Sequence, residues 1–348
     1  MYKYEHGGDI YATKKSCIDF SANINPLGMP TNVKQALRQA AGHCEAYPDP
    51  FCRELTRALA VYWQINKNNI LCGNGAADLL FKLALALRPR KTLLLAPTFA
   101  DYEKALRVTG SEFVYYTLKE ENSFVPGADI LDYLTEDVDL VVICNPNNPT
   151  GKTMPQDLLE YLLIKANKNN TKVLVDECFM EFVGIDGYSL IPSLNRYQNL
   201  IILRAFTKIY AMAGVRLGYL MTADSTILDA CRINSQDWSV STLAQEAGLA
   251  ALQNKEYLTK TQEYVKQERE YLTKNLHAVG IPTYGSEANF ILFKVNNIRG
   301  FGTKMAKAGI LVRSCANYHG LTSSFYRIAV RNRKDNRIFV KKLKELLK

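Results

Sequence analysis

Seven short apolar runs constrain what this chain can fold into. They are Ile70-Leu71-Cys72, Thr92–Ala96, Phe113–Leu118, Leu140–Cys144, Lys172–Val175, Leu200–Leu203 and Leu217–Met221. Within most of them apolar residues follow one another instead of alternating with polar ones, so both faces of each strand must be covered. Stretches of helical period separate several of the runs: about Ala76 to Leu87, Phe99–Thr109 and Pro155–Lys168. Strands that alternate with such helices predict an α/β fold with a largely parallel sheet flanked on both faces.

The flanking segments have a different character. Residues 1–30 are irregular and turn-rich, with Gly7-Gly8 and Asn23-Ile24-Asn25-Pro26-Leu27-Gly28. Two helical stretches follow, about Thr31 to Ala41 and Phe51–Gln64, broken at Tyr47-Pro48-Asp49-Pro50. After about Thr226 long helices take over, chiefly across Gln245–Leu276. A small α/β unit then closes the chain: strand Phe290–Val295, helix Phe301–Ala308, strands Ile310–Arg313 and Tyr326–Val330, and a terminal helix. The expected organisation is an N-terminal arm (1–30), a large domain (31–225) and bridging helices with a smaller C-terminal domain (226–348). A chain of 348 residues is long enough for two packed units, since single cores stop growing at roughly 250–300 residues.

Charge and cysteine usage exclude several function classes. The formal charge is +9, but the dense basic run is confined to the end of the chain and reads as the solvated face of a terminal helix. No basic patch interleaved with aromatics is present, so no nucleic-acid partner is expected, while the surplus favours a small anionic substrate. Eight cysteines occur without a CxxC or a His/Cys cluster. This predicts reduced, mostly buried thiols, no metal centre and a cytoplasmic setting. No apolar h-region and no long apolar stretch appear, so neither secretion nor membrane spanning is expected.

In an open α/β sheet, ligands gather at the carboxyl ends of the strands, and several polar groups fall there. Gly73-Asn74-Gly75-Ala76-Ala77 lies between a strand and a helix, where free N–H groups suit a phosphate; the same turn could be a tight connection only. Asn145-Pro146-Asn147-Asn148-Pro149-Thr150-Gly151 forms a rigid loop able to hold an Asn side chain toward the cleft. Asp176-Glu177 ends a buried strand, and is either a cap or ion-pair partner or a counter-charge for a heteroaromatic nitrogen. Lys208 follows an apolar run that breaks off at Arg204, with Thr207 before it and Arg216 after it. Alone it could cap a helix or meet solvent. Taken together, a phosphate site, a carboxylate for a ring nitrogen and an amine able to form an imine describe pyridoxal 5'-phosphate.

The segments HGGDI, DFSANINPLGMP, GNGAADLL, CNPNNPTG, VDECFMEF, LRAFTKIYAMAGVRLGYL, VRSCANYHGL and YRIAVR resemble the fold-type I aminotransferase superfamily. Within it they resemble the histidinol-phosphate aminotransferase branch, and more closely the threonine-phosphate decarboxylases of cobalamin biosynthesis, over essentially the whole chain. The resemblance implies a large domain with a mostly parallel seven-stranded sheet, a smaller α/β domain and a homodimer with active sites at the interface. It implies that Lys208 bonds the cofactor, Asp176 pairs with the ring nitrogen and Asn148 bonds the ring hydroxyl. The backbone of Gly75 and Ala76, with Thr207 and Arg216, would hold the cofactor phosphate. Phe99 would stack on the ring, and Tyr47 would reach the cofactor phosphate of the other subunit.

On the substrate side, the resemblance assigns Arg331 to a carboxylate, and His6, the Gly7 backbone, Asn23 and Arg313 to a phosphate, with Asn148 also among the substrate-binding residues. Two positions depart from the aminotransferase pattern: Phe179, a Phe that the decarboxylases also tend to have, stands where many aminotransferases carry Tyr, and Ala205 replaces a phosphate-binding hydroxyl residue. The implied reaction is decarboxylation of L-threonine O-3-phosphate to (R)-1-aminopropan-2-yl phosphate. The alternatives are a histidinol-phosphate-type aminotransferase and a serine-phosphate decarboxylase. A catalytically silent protein of this fold is disfavoured by Lys208, Asp176 and Arg331 occurring together.

Overall fold

The computed structural model describes residues 6–11, 17–185 and 187–347. Twelve strands occur among them: β1 (Ile18–Asp19), β2 (Ile70–Gly73), β3 (Lys91–Ala96), β4 (Glu112–Thr117), β5 (Leu140–Cys144), β6 (Lys172–Asp176), β7 (Leu200–Ala205), β8 (Gly218–Thr222), β9 (Phe290–Lys294), β10 (Ile310–Leu311), β11 (Arg313–Ser314) and β12 (Phe325–Ala329). Seven form the central sheet, in the order β2-β8-β7-β6-β5-β3-β4. The pairs β3/β4, β3/β5, β5/β6 and β6/β7 are parallel. Only β8 runs against its neighbours. Its first residues therefore lie at the edge where β2, β3, β5, β6 and β7 end.

Alternate residues of each central strand enter different cores. Leu93, Val141, Ile143, Val173, Val175 and Ile202 pack on one face of the sheet with the helix Gln156–Lys168. Leu94, Leu140, Val142, Leu174, Ile201 and Leu203 pack on the other with the helices Ala76–Leu87 and Ser225–Ile233. Burial on both sides is why the runs are continuously apolar. No helix among the described residues is long and apolar enough to cross a membrane, and all eight cysteines are free.

The smaller sheet orders β11-β12-β9, all antiparallel. Here the structure corrects the sequence reading in two places. The expected strand Ile310–Arg313 is split at Val312: β10 pairs with β1, and β11 pairs with β12. The N-terminal arm is thus not wholly irregular, because Ile18–Asp19 adds a parallel strand to the C-terminal unit. The Phe20 N–H continues this pairing to the Leu311 carbonyl at 2.8 Å. The long helical region also divides, into Thr242–Leu252 and Lys255–His277.

A further difference concerns Arg204. The apolar run was expected to stop before it, yet β7 continues through Arg204 to Ala205. The side chain is fully buried. Its guanidinium meets Glu177 Oε2 at 2.5 Å and Glu181 Oε1 at 3.0 Å, and lies 4.5 Å from the Trp63 ring centre. A buried arginine is tolerated because two carboxylates neutralise it. Arg204→Ala should cost about 3–5 kcal/mol by leaving buried carboxylates without their cation, read as a lower urea midpoint. Replacing Arg204, Glu177 and Glu181 together by apolar residues of similar volume should recover most of that loss.

Candidate active site

A cavity of about 380 Å³ opens where the ends of the central strands face the smaller sheet. Lys208 lies on its wall, in the short helix Phe206–Ile209 that follows β7. The arm holds this turn in place: Asn25 N–H donates to the Lys208 carbonyl at 3.1 Å, and Asn25 Nδ2 donates to the Ile209 carbonyl at 2.6 Å. Lys208 Nζ sits 5.9 Å from the centre of the Phe179 ring. Burial, with Arg327 and Arg216 nearby, lowers its ammonium from 10.5 to about 8.

Asp176 ends β6 on the cavity wall and is buried. Burial pushes its carboxyl up, while the donors Cys178 and Tyr102 pull it the other way. Tyr102 donates its hydroxyl to Oδ2 at 2.6 Å, and the Cys178 N–H donates to Oδ1 at 2.9 Å. Asn148 also lines the cavity, on the loop after β5. That loop is fixed by Asn145 N–H donating to the Asp176 carbonyl (2.8 Å) and Asn147 Nδ2 donating to the Pro97 carbonyl (2.9 Å).

The cradle expected for a phosphate starts with backbone. Gly75 precedes the helix Ala76–Leu87 with φ +85°, and a Cβ there would stand 2.6 Å from the Arg216 guanidinium. A side chain at 75 would therefore displace the arginine, while glycine lets it close over the helix N-terminus, where N–H groups point outward. Ala76, Thr207 and Arg216 all line the cavity. A buried carboxylate with only neutral donors bound to it, an anion cradle and a deprotonatable lysine fit pyridoxal phosphate: its ring nitrogen, its phosphate and its aldehyde.

Phe99, His6, Gly7, Asn23 and Arg313 reach the same cavity. His6 Nε2 lies 3.0 Å from Asp101 and its ring is tilted against Phe99. Gly7 packs so closely that a Cβ would stand 2.2 Å from the Ser21 carbonyl oxygen. Asn23 Oδ1 is buried without a hydrogen-bond partner. Arg313 donates to the Ser314 carbonyl at 2.7 Å and to Asn317 Oδ1 at 2.8 Å.

Three expected residues, Gly75, Arg331 and Tyr47, are not among those that line the cavity, although Gly75 stands directly before the lining Ala76. Arg331 lies past the end of β12, where Asp335 of the terminal helix takes its Nε (2.9 Å) and the Asp19 carbonyl takes NH1 (2.8 Å). The arginine that does reach the cavity from β12 is Arg327. Its two terminal nitrogens donate to Asn148 Oδ1 and the Ser21 carbonyl, and its buried Nε has no partner. The signal was an arginine inside the apolar strand FYRIA, which a packed strand tolerates only if the charge has a destination. Tyr47 is 80% exposed and stacks on Trp238 with ring centres 4.7 Å apart, away from this cavity. Tyr102 and Tyr318 are further lining residues that the sequence reading did not single out.

With its ammonium lowered, Lys208 is increasingly neutral, and so nucleophilic, as pH rises through about 8. The rate at which the cofactor-free protein takes up pyridoxal phosphate, followed by its visible absorption, should rise with pH and level off above that value. Lys208→Ala should abolish the band.

The comparisons with known proteins agree with this geometry. The aminotransferase class I and II family matches residues 15–343. The chain is 34% identical to the threonine-phosphate decarboxylase of Salmonella typhimurium, over all of this chain and 98% of that one. It is 30% identical to an adenosylcobalamin biosynthesis bifunctional protein of Leptospira interrogans, over 96% of this chain and 40% of that one. The histidinol-phosphate aminotransferase structure from Clostridium acetobutylicum superposes with a TM-score of 0.89 at 30% identity, covering 94% of this chain and 98% of that one. Enzymes of this kind depend on pyridoxal phosphate. The chain belongs to the aminotransferase class I and II family.

Proposed function

We propose that this chain decarboxylates L-threonine O-3-phosphate to (R)-1-aminopropan-2-yl phosphate in corrinoid biosynthesis. The observation that carries the reading is a pair of arginines on the same cavity as Lys208: Arg327 from β12 and Arg313 from β11. A substrate with one carboxylate and one phosphate has an anion for each. The relatives named above, a threonine-phosphate decarboxylase and a cobalamin-biosynthesis protein, support the same substrate and pathway.

The cofactor, when bound, supplies an electron sink for the pair released from a bond to Cα. Which bond that is depends on how the substrate is anchored, since two fixed anions stop rotation of Cα. In this proposal Arg327 receives the carboxylate, its Nε being without a partner, and Arg313, His6, Asn23 and the Gly7 backbone receive the phosphate. Cleavage of Cα–COO⁻ releases CO2, and a proton must then be delivered to Cα; Lys208, its ammonium lowered to about 8, suits that transfer. Phe99 would stack on the cofactor ring and Asn148 would bond the ring hydroxyl. Tyr47, exposed on the surface, would reach the cofactor phosphate of a second copy of the chain in a homodimer.

A second reading, amine transfer of the histidinol-phosphate type, is favoured by the Clostridium acetobutylicum structure. Incubation with threonine phosphate and no keto acid separates them: stoichiometric CO2 is expected. Absence of CO2, together with amine transfer from glutamate to imidazole-acetol phosphate, would overturn decarboxylation. The anchors have their own test. Arg313→Ala and Arg327→Ala should each raise KM for threonine phosphate by about tenfold or more, since charge-assisted bonds are lost. Arg313→Ala should leave cofactor affinity unchanged, and Arg331→Ala should leave KM within about twofold of the parent.

A further inference from the structure

Tyr102 is almost completely buried (1% exposed) in the helix Asp101–Arg107, and the resemblance assigned it no role. Its hydroxyl reaches Asp176 Oδ2 at 2.6 Å. Its ring stands edge-on to Phe99, with centres 5.6 Å apart and planes at 81°. It thus touches both the carboxylate expected at the cofactor nitrogen and the ring expected on the cofactor face. We propose that Tyr102 is a positioning residue for Asp176: by donating to Oδ2 it fixes the carboxylate's rotation and holds it ionised toward the cofactor nitrogen. The proposal rests on the cofactor reading of the site.

Among the described residues, several groups face that carboxylate. The Cys178 N–H occupies Oδ1, and the Cys178 thiol also lies against it. Cys144, at the end of β5, lies against the Tyr102 hydroxyl. Glu177 adds a negative charge next in sequence, and Lys208 is the positive group across the cavity. Tyr102 itself is pushed well above its ordinary range by burial and by Asp176, so its hydroxyl stays protonated and can only donate to the carboxylate. Of the two oxygens, Oδ2 receives its hydrogen bond from a rigid aromatic ring locked in the core. A side chain held this way cannot swing to offer a different lone pair when a charged ring nitrogen arrives.

A carboxylate deprived of this donor takes a proton more readily. The ring nitrogen is then less positive, and the lysine nitrogen bonded to the cofactor keeps its proton to higher pH. The experiment measures pyridoxal phosphate affinity and the pH midpoint of the bound cofactor's visible band, neither of which requires turnover. Tyr102→Phe, which removes only the hydroxyl, should weaken cofactor binding about tenfold or more and move the midpoint upward. Site-specific 3-fluorotyrosine at position 102, a stronger donor on an unchanged ring, should move it downward. In an Asp176→Asn background, neither change should shift the midpoint further.

An unchanged midpoint and affinity in Tyr102→Phe would overturn the proposal while leaving the cofactor reading intact. An equal shift with and without Asp176 would also overturn it, because Tyr102 would then act on the fold and not through the carboxylate. Failure of the parent protein to take up pyridoxal phosphate at Lys208 would overturn the cofactor reading, and this proposal with it.

Discussion

The ion pair between Arg204 and Glu177 is the interaction on which the site depends. Arg204 lies near the end of β7, and Glu177 follows the end of β6, and both side chains are completely buried. Asp176 precedes one partner, and the Thr207-Lys208 turn follows shortly after the other. Holding these strand ends together therefore fixes the distance between a buried carboxylate and a reactive amine. Glu181 and Trp63 complete the enclosure. A charge cluster that is costly to bury is retained here where it sets the relation between two strand ends of the candidate site, in keeping with polar groups used for specificity more than stability.

The second requirement is closure over the strand ends. The central sheet provides the floor of the cavity but not the wall opposite. That wall comes from β11, β12 and the N-terminal arm, which are joined to one another before they meet the large sheet. The Ala329 N–H donates to the Phe20 carbonyl (2.8 Å), β1 pairs with β10, and Arg327 donates to the Ser21 carbonyl (2.8 Å). Residues far apart in sequence are thereby brought to one surface. His6, Asn23, Arg313 and Arg327 line the same cavity for this reason.

This division of labour separates cofactor from reaction. In the proposed reaction the floor residues Asp176, Lys208, Arg216 and Ala76 would hold an electron sink that could serve several reactions at Cα. The wall residues would decide which bond is presented to it, because in that proposal they anchor the anions of the substrate. Fold and cofactor are shared with aminotransferases, while the proposed choice between losing CO2 and moving an amine would belong to the placement of a few cations.

The sequence by itself determined the α/β class, the central strands and the floor of the site. Both-face burial makes parallel strands continuously apolar, and short-range chemistry at their ends is visible in single motifs such as Gly73–Ala77, Asn145–Gly151 and Phe206–Lys208. Tertiary structure decided which arginine faces the cavity. Arg327 and Arg331 stand in one motif, YRIAVR, and differ only in what surrounds them: Asn148 and Ser21 for the first, Asp335 and Asp19 for the second. It also decided the fate of Ile18–Asp19, the split at Val312 and the reach of Tyr102 to Asp176, across 74 positions. These depend on long-range pairing, which local pattern does not encode. Hydrophobic periodicity reports which face of an element is buried, and says nothing of which distant segment arrives to bury it.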